Sequence, residues 1–101
     1  MSIEAHRRDD GQTLVIRVDG RFDFSTHQAF RDAYEHGDEA IVRYVVDLSD
    51  TTYLDSSALG MLLLLRDHAG GDQASISIEN CNSDVRRILS ISNFEQLFSI
   101  R

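Results

Sequence analysis

The stretch Val42-Arg43-Tyr44-Val45-Val46-Asp47-Leu48 constrains the fold more than any other part of the chain. Its residues are β-branched and almost continuously apolar, so it reads as a strand without the in-out alternation of a sheet that has one wet face. A strand of that kind belongs in the middle of a sheet with both faces covered. The segment after it, Ser49 to Asp55, is polar and turn-like apart from Tyr53 and Leu54. A dense leucine helix then runs from Ser56 to Ala69 and stops at Gly70-Gly71, a natural C-terminal turn. This helix is apolar nearly all round and reads as core, with a partner face on Leu62 to Leu65 as the alternative.

The other elements fall around that strand, loop and helix. Ile3 to Arg8 and Thr13 to Val18 flank Asp9-Asp10-Gly11, whose Asp-Gly pair tolerates positive φ, and this predicts a hairpin. Gly20 is expected to end the second strand. Ser25-Thr26-His27-Gln28 matches a capping box with Phe24 and Ala29 as its hydrophobic staple, so a helix is expected to start at Ser25. Phe30, Ala33 and Tyr34 continue it, and Gly37 is placed to end it. Ala74 to Glu79 alternates with period two, Ser83 caps a helix with Val85, Ile88, Leu89 and Ser92 on one side, and Leu97 to Ile100 reads as a last short strand. The order β-β-α-β-α-β-α-β predicts an α/β fold: a mostly parallel mixed sheet with an N-terminal hairpin and three main helices. At 101 residues there is room for one core, so the expectation is a single domain over 1–101.

Charge narrows the chemistry. The 10 basic residues are all Arg against 17 acidic ones, for a net charge of -7. With no Lys there is no Schiff-base amine, P-loop lysine or Ser-Lys dyad, and an acidic domain is repelled by nucleic-acid backbones and anionic membranes. Cys81 has no partner for an internal disulfide and reads as a small buried hydrophobe, and the N-terminus lacks the apolar region of a signal peptide. The cytoplasm is therefore the expected compartment. His6, His27, His36 and His68 are not spaced to hold a metal, and His68, eleven residues beyond Ser57 on one helix, cannot reach it. No G-x-S-x-G elbow is present, so no catalytic residue, metal ligand or cofactor is expected.

In open α/β sheets the working site lies beyond the carboxyl ends of the parallel strands, which points to Asp55-Ser56-Ser57-Ala58-Leu59-Gly60 after the central strand. Two serines at a helix N-terminus can simply cap and fill the first turn. Alternatively one accepts a phosphoryl group, since free N–H donors and the dipole favour a new dianion there. The local motif alone leaves both readings open.

Taken together, the strand Val42 to Leu48, the passage Tyr53-Leu54-Asp55-Ser56-Ser57-Ala58-Leu59-Gly60 and the upstream Gly20-Arg21-Phe22-Asp23 resemble the STAS domain family, specifically its single-domain anti-sigma factor antagonists. The resemblance spans essentially the whole chain in element order. It implies that Ser57, the second hydroxyl of the pair, is the phosphoacceptor, with Ser56 as the neighbouring cap and lesser candidate. It also implies that Asp23 and Asp55 lie near a partner-binding surface that includes Ser56, Ser57, Ala58, Leu59 and Gly60. Two departures stand out: Ala58 replaces the commoner glycine, and Arg21-Phe22 replaces a more usual acidic-aliphatic pair. The implied mechanism is a partner switch. The unmodified form, presenting a nearly neutral helix end, binds a serine-kinase anti-sigma factor of the histidine-kinase-like ATPase fold and frees a sigma factor. Phosphorylation abolishes binding, and a PPM-type serine phosphatase resets it. On this reading the domain is a monomer that forms heterocomplexes, and a ligand and substrate, not an enzyme. The alternative is an unphosphorylated STAS scaffold in a bacterial signalling assembly. Asp47, Asp50 and Asp55 are expected to form an acidic cluster that could steer an Arg-rich partner.

Overall fold

Residues 2–8, 10–35 and 41–101 are described in the computed structural model of the chain. Strands β1 (Ser2–Arg7) and β2 (Thr13–Phe22) form the expected antiparallel hairpin, Ile3 opposite Val18 and Arg7 opposite Leu14. Asp9 and the Gly37 helix end lie outside the described residues. β3 (Arg43–Asp47) pairs parallel to β2, with Ile16 beside Val46, and β5 (Ile76–Glu79) pairs parallel to β3. β6 (Ser99–Ile100) closes the row beyond β5, so the order is β1-β2-β3-β5-β6 and β3 is central, as its composition requires. The architecture is the α/β mixed sheet with an N-terminal hairpin that the element order predicted. Helices α1 (His27–Glu35), α2 (Ser56–His68) and α3 (Ser83–Ile91) connect the strands.

Strand alternation explains where the core sits. Leu14, Ile16, Val18, Tyr44, Val46, Ile76 and Ile78 project from one face of the sheet into a cluster with Phe30, Leu62, Leu65, Val85 and Leu89 from the helices. Val15 and Val45, each 5% exposed, face the other way and lie outside that cluster. They share their face with long charged side chains paired as Arg8–Glu79, Arg17–Asp50 and Arg43–Asp10, whose aliphatic stems can shield apolar neighbours. Thus β3 is buried on both faces, but helices do the burying on only one. The second face opens into a groove of about 670 Å³ lined by Arg8, Arg43, Glu79, Ser99 and Arg101 among others.

Two local expectations need correction. Gly20 does not end β2: its φ of 89° marks a bulge, the register shifts between Gly20 and Arg21, and the strand runs on to Phe22. There it pairs in parallel with β4 (Thr51–Leu54), a strand inside the segment that reads as loop from its polarity. Buried hydrogen bonding makes that polar sequence a strand. The Thr51 hydroxyl, 1% exposed, donates to the Val18 carbonyl at 2.8 Å, and the Gly20 amide donates to the Asp50 carbonyl at 3.0 Å. The first helix also begins differently. Asp23, not Ser25, caps a 3-10 turn over Phe24–Thr26 that leads into α1, and Phe24, 72% exposed, is too open to be the expected staple. Likewise Asn82, not Ser83, caps α3 through its side-chain oxygen on the Val85 amide. Cys81, expected to be buried, is half-buried against the core, and that burial pushes its thiol pKa up.

The leucine helix divides residue by residue. Met61, Leu62 and Leu65 are buried, whereas Leu63 and Leu64 are 42% and 53% exposed. Leu65→Ala should therefore cost about 2–5 kcal/mol and Leu64→Ala no more than about 0.5 kcal/mol. Urea unfolding of both variants measures this, and equal losses would contradict the assignment of faces.

Candidate functional site

The switch of β2 from β3 to β4 sets the site. Because Phe22 pairs with Leu54, the next residues, Asp23 and Asp55, leave neighbouring parallel strands side by side. Asp55 caps α2 with an extended backbone (φ -123°, ψ -174°), and its Oδ1 accepts from the Ala58 amide at 3.1 Å and from the Ser57 hydroxyl at 2.6 Å. Asp23 repeats the arrangement one strand away: its Oδ1 accepts from the Ser25 amide at 3.0 Å and the Ser25 hydroxyl at 2.5 Å. The spacing Asp23-x-Ser25 matches Asp55-x-Ser57, a signal visible in the sequence that the capping-box reading overlooked.

The cap on α2 is thus the acid and not Ser56, which occupies the first helical position with its side chain exposed. Ser57 is half-buried, its proton directed to Asp55. Ala58 is fully buried in the core, so its side chain is not part of any surface. Leu59 is half-buried against the core, and a Cβ added to Gly60 would meet nothing within 4 Å. Gly60 therefore answers no packing need inside the chain.

Electrostatically the site is not the nearly neutral helix end that the sequence suggests. It carries two carboxylates, both held below the usual range. The Ser57 hydroxyl bond is the largest cause at Asp55, and the charge of Asp23 opposes it. At Asp23 the Ser25 hydroxyl leads and the Arg21 guanidinium follows. Arg21 Nε donates to Asp23 Oδ2 at 3.2 Å while its guanidinium carbon lies 4.1 Å from the centre of the Tyr53 ring. Tyr53, Phe24 and the Arg21 stem give the acids an apolar margin, with Phe24 stacked on His27 at 5.6 Å. The predicted cluster of Asp47, Asp50 and Asp55 is divided: Asp47 accepts from the Ser49 amide, Asp50 pairs with Arg17, and Asp55 has Asp23 as its acidic neighbour.

No imidazole is hydrogen-bonded to Ser57 among the described residues; His68 packs against Tyr34 and Tyr44, with ring centres 4.9 and 6.3 Å away. None of the lining residues of the groove on the open sheet face belongs to this site. Among the described residues there is no group of three or more His, Cys, Asp or Glu placed to hold a metal, and no helix long and apolar enough to cross a membrane.

Residues 5–99 match the family model described as Mlab, STAS domain. The chain belongs to the STAS domain family. A STAS-domain containing protein of Pseudomonas aeruginosa is 65% identical over 100 residues, which is 99% of each chain. Among solved structures, an anti-sigma factor antagonist from Mycobacterium paratuberculosis superposes with a TM-score of 0.80 at 19% identity, over 98% of this chain and 83% of that one. The phosphorylated form of the Bacillus cell fate determinant SpoIIAA superposes with a TM-score of 0.68 at 16% identity, over 99% and 91%. At these identities the two structures establish the shared STAS fold.

Asp55 should leave a mark on acid unfolding. A carboxyl whose pKa is lower folded than unfolded adds stability that is fully present above its ordinary value of 3.8 and is lost as pH falls through the folded value. Below about pH 4 the wild type should thus lose stability more steeply than Asp55→Asn. Parallel slopes in urea unfolding from pH 5 to pH 2.5 would show that the carboxylate is not engaged.

Proposed function

We propose that this STAS domain is an anti-sigma factor antagonist switched by phosphorylation of Ser57. The observation that carries the reading is the Ser57 hydroxyl at the first turn of α2, which donates a hydrogen bond to Asp55 with Asp23 alongside. With that proton engaged, the oxygen lone pairs are free to attack phosphorus. In the transfer, Ser57 Oγ bonds to the γ-phosphorus of ATP held by the partner, the bond to ADP breaks, and the serine proton leaves toward Asp55. The partner is a serine-kinase anti-sigma factor with a histidine-kinase-like ATPase fold, and a PPM-type phosphatase returns the serine. The domain acts as ligand and substrate in the cytoplasm, and Ser56, exposed at the first position of α2, is the lesser acceptor.

The physics of the switch is electrostatic. A phosphoryl group adds about -1.5 to -2 charges, next to two carboxylates on a protein of net charge -7. An interface fitted to a hydroxyl has to desolvate that dianion, at a cost of several kcal/mol, and each ~1.4 kcal/mol is tenfold in affinity. A loss of two to three decades follows. Gly60, with open space where a Cβ would stand, suits close approach of the partner on the same helix face as the exposed Leu63 and Leu64.

Affinity capture from the native organism with wild type, Ser57→Ala and Ser57→Asp tests the reading. Ser57→Ala should retain an ATPase-domain protein that Ser57→Asp loses, and identical retention by all three baits would favour the passive scaffold. Thermal melts of phosphorylated and unmodified protein should nearly coincide, because the helix N-terminus accommodates the charge; a large drop would make the switch one of unfolding. Gly60→Ala should raise stability by up to about 1 kcal/mol while weakening capture of the same partner, and unchanged capture would place the contact elsewhere.

A further inference from the structure

Among the described residues, Arg21 is the cation that pairs with an acid of this site. Arg21 and Tyr53 are paired across the strands, Asp23 and Asp55 are the next residues of the same face on each, and the intervening Phe22 and Leu54 point into the core. With parallel strands about 4.8 Å apart, the Arg21 side chain stands diagonally across from Asp55, whose carboxylate holds Ser57. Its guanidinium binds Asp23 through Nε alone, and its two terminal nitrogens make no hydrogen bond among the described residues. The Tyr53 ring beneath holds the stem over the paired strand ends instead of letting it drift into solvent. A guanidinium with two free NH2 groups is shaped for two oxygens of one anion. The face offers it only a single-point contact to a carboxylate already served by the Ser25 amide and hydroxyl.

We propose that Arg21 is a captive counter-cation for a phosphoryl group on Ser57, parked on Tyr53 and Asp23 in the unmodified protein and moving across the strand pair to bind the phosphate oxygens once Ser57 is modified. The proposal rests on the reading of Ser57 as phosphoacceptor and adds the residue that receives the new charge. Asp23 can release Arg21 because Ser25 continues to satisfy it. Transfer replaces one single-point contact with a bidentate one to a group of higher charge, so it is favoured only when the phosphate is present. Among the described residues, the charges at this site are then Asp23, Asp55 and Arg21, with the Tyr53 ring beneath, and Arg21 sets how much net negative charge the switch displays.

The test uses the full chain with phosphoserine installed at position 57 during synthesis, as wild type, Arg21→Gln and Arg21→Lys. Titration followed by phosphorus NMR reads the second ionisation of the phosphate, ordinarily near pH 6. A neighbouring cation favours the dianion, so removing it should raise this pKa, by roughly half a unit at so exposed a site. Arg21→Lys should fall between wild type and Arg21→Gln, and raising the salt concentration should shrink the difference. Identical titrations in all three proteins would overturn the proposal and leave Arg21 with Asp23. Since the phosphate is installed chemically, this outcome does not depend on any kinase. Failure of Ser57 to be modified by its partner is read separately, by mass spectrometry of unmodified protein incubated with that partner and ATP.

Discussion

The site depends on one strand changing partners. β2 pairs with β3 as far as Arg17, passes through the Gly20 bulge, and pairs with β4 from Gly20 to Phe22. A straight ladder would leave Asp23 and Asp55 on unrelated loops. The bulge makes their strands neighbours, so that two acid-capped turns emerge side by side at the carboxyl end of the sheet. Three interactions hold the change of partner: the Gly20 amide on the Asp50 carbonyl, the buried Thr51 hydroxyl on the Val18 carbonyl, and Arg17 paired with Asp50. The Asn82 amide adds a fourth by donating to the Thr51 carbonyl at 3.0 Å, which ties the α3 cap to the same strand.

The fold was largely legible in the sequence because its strongest signals are tertiary ones. Val45 and Val46 beside Tyr44 could only be a central strand, and Ile76 and Ile78 alternate because helices cover one face of their strand. What stayed hidden was decided by single hydrogen bonds. Thr51-Thr52 lacks the apolar pattern of a strand, yet Thr51 is buried because one backbone carbonyl takes its hydroxyl. Gly20 reads as a breaker because a bulge and a break use the same positive φ. Ser25 reads as a cap by type, but Asp23 precedes it with a better acceptor, and the same substitution of acid for serine recurs at Asp55.

For the site, the acids and serines were legible as a motif, while their electrostatic company was not. The sequence could not show that Asp23 raises the charge density at Asp55, that Arg21 is pinned on Tyr53, or that Ala58 is spent on the core and Gly60 is not. These facts turn the site from a helix end into a surface with a carboxylate-bound hydroxyl, two acids and an arginine held between Asp23 and Tyr53. It suits a protein partner whose affinity answers to charge, with Tyr53 exposed beside the acids and Leu63 and Leu64 exposed further along α2.

Whether Ser57 carries a phosphate decides the proposed switch. Phosphosite mapping by mass spectrometry on the protein isolated from its own cells, in growing and in stressed cultures, tests this most directly. Modification at Ser57, changing in occupancy between the two conditions and absent from Ser56, is the predicted result. A protein unmodified in every condition, or modified at Ser56 with Ser57 untouched, would contradict it.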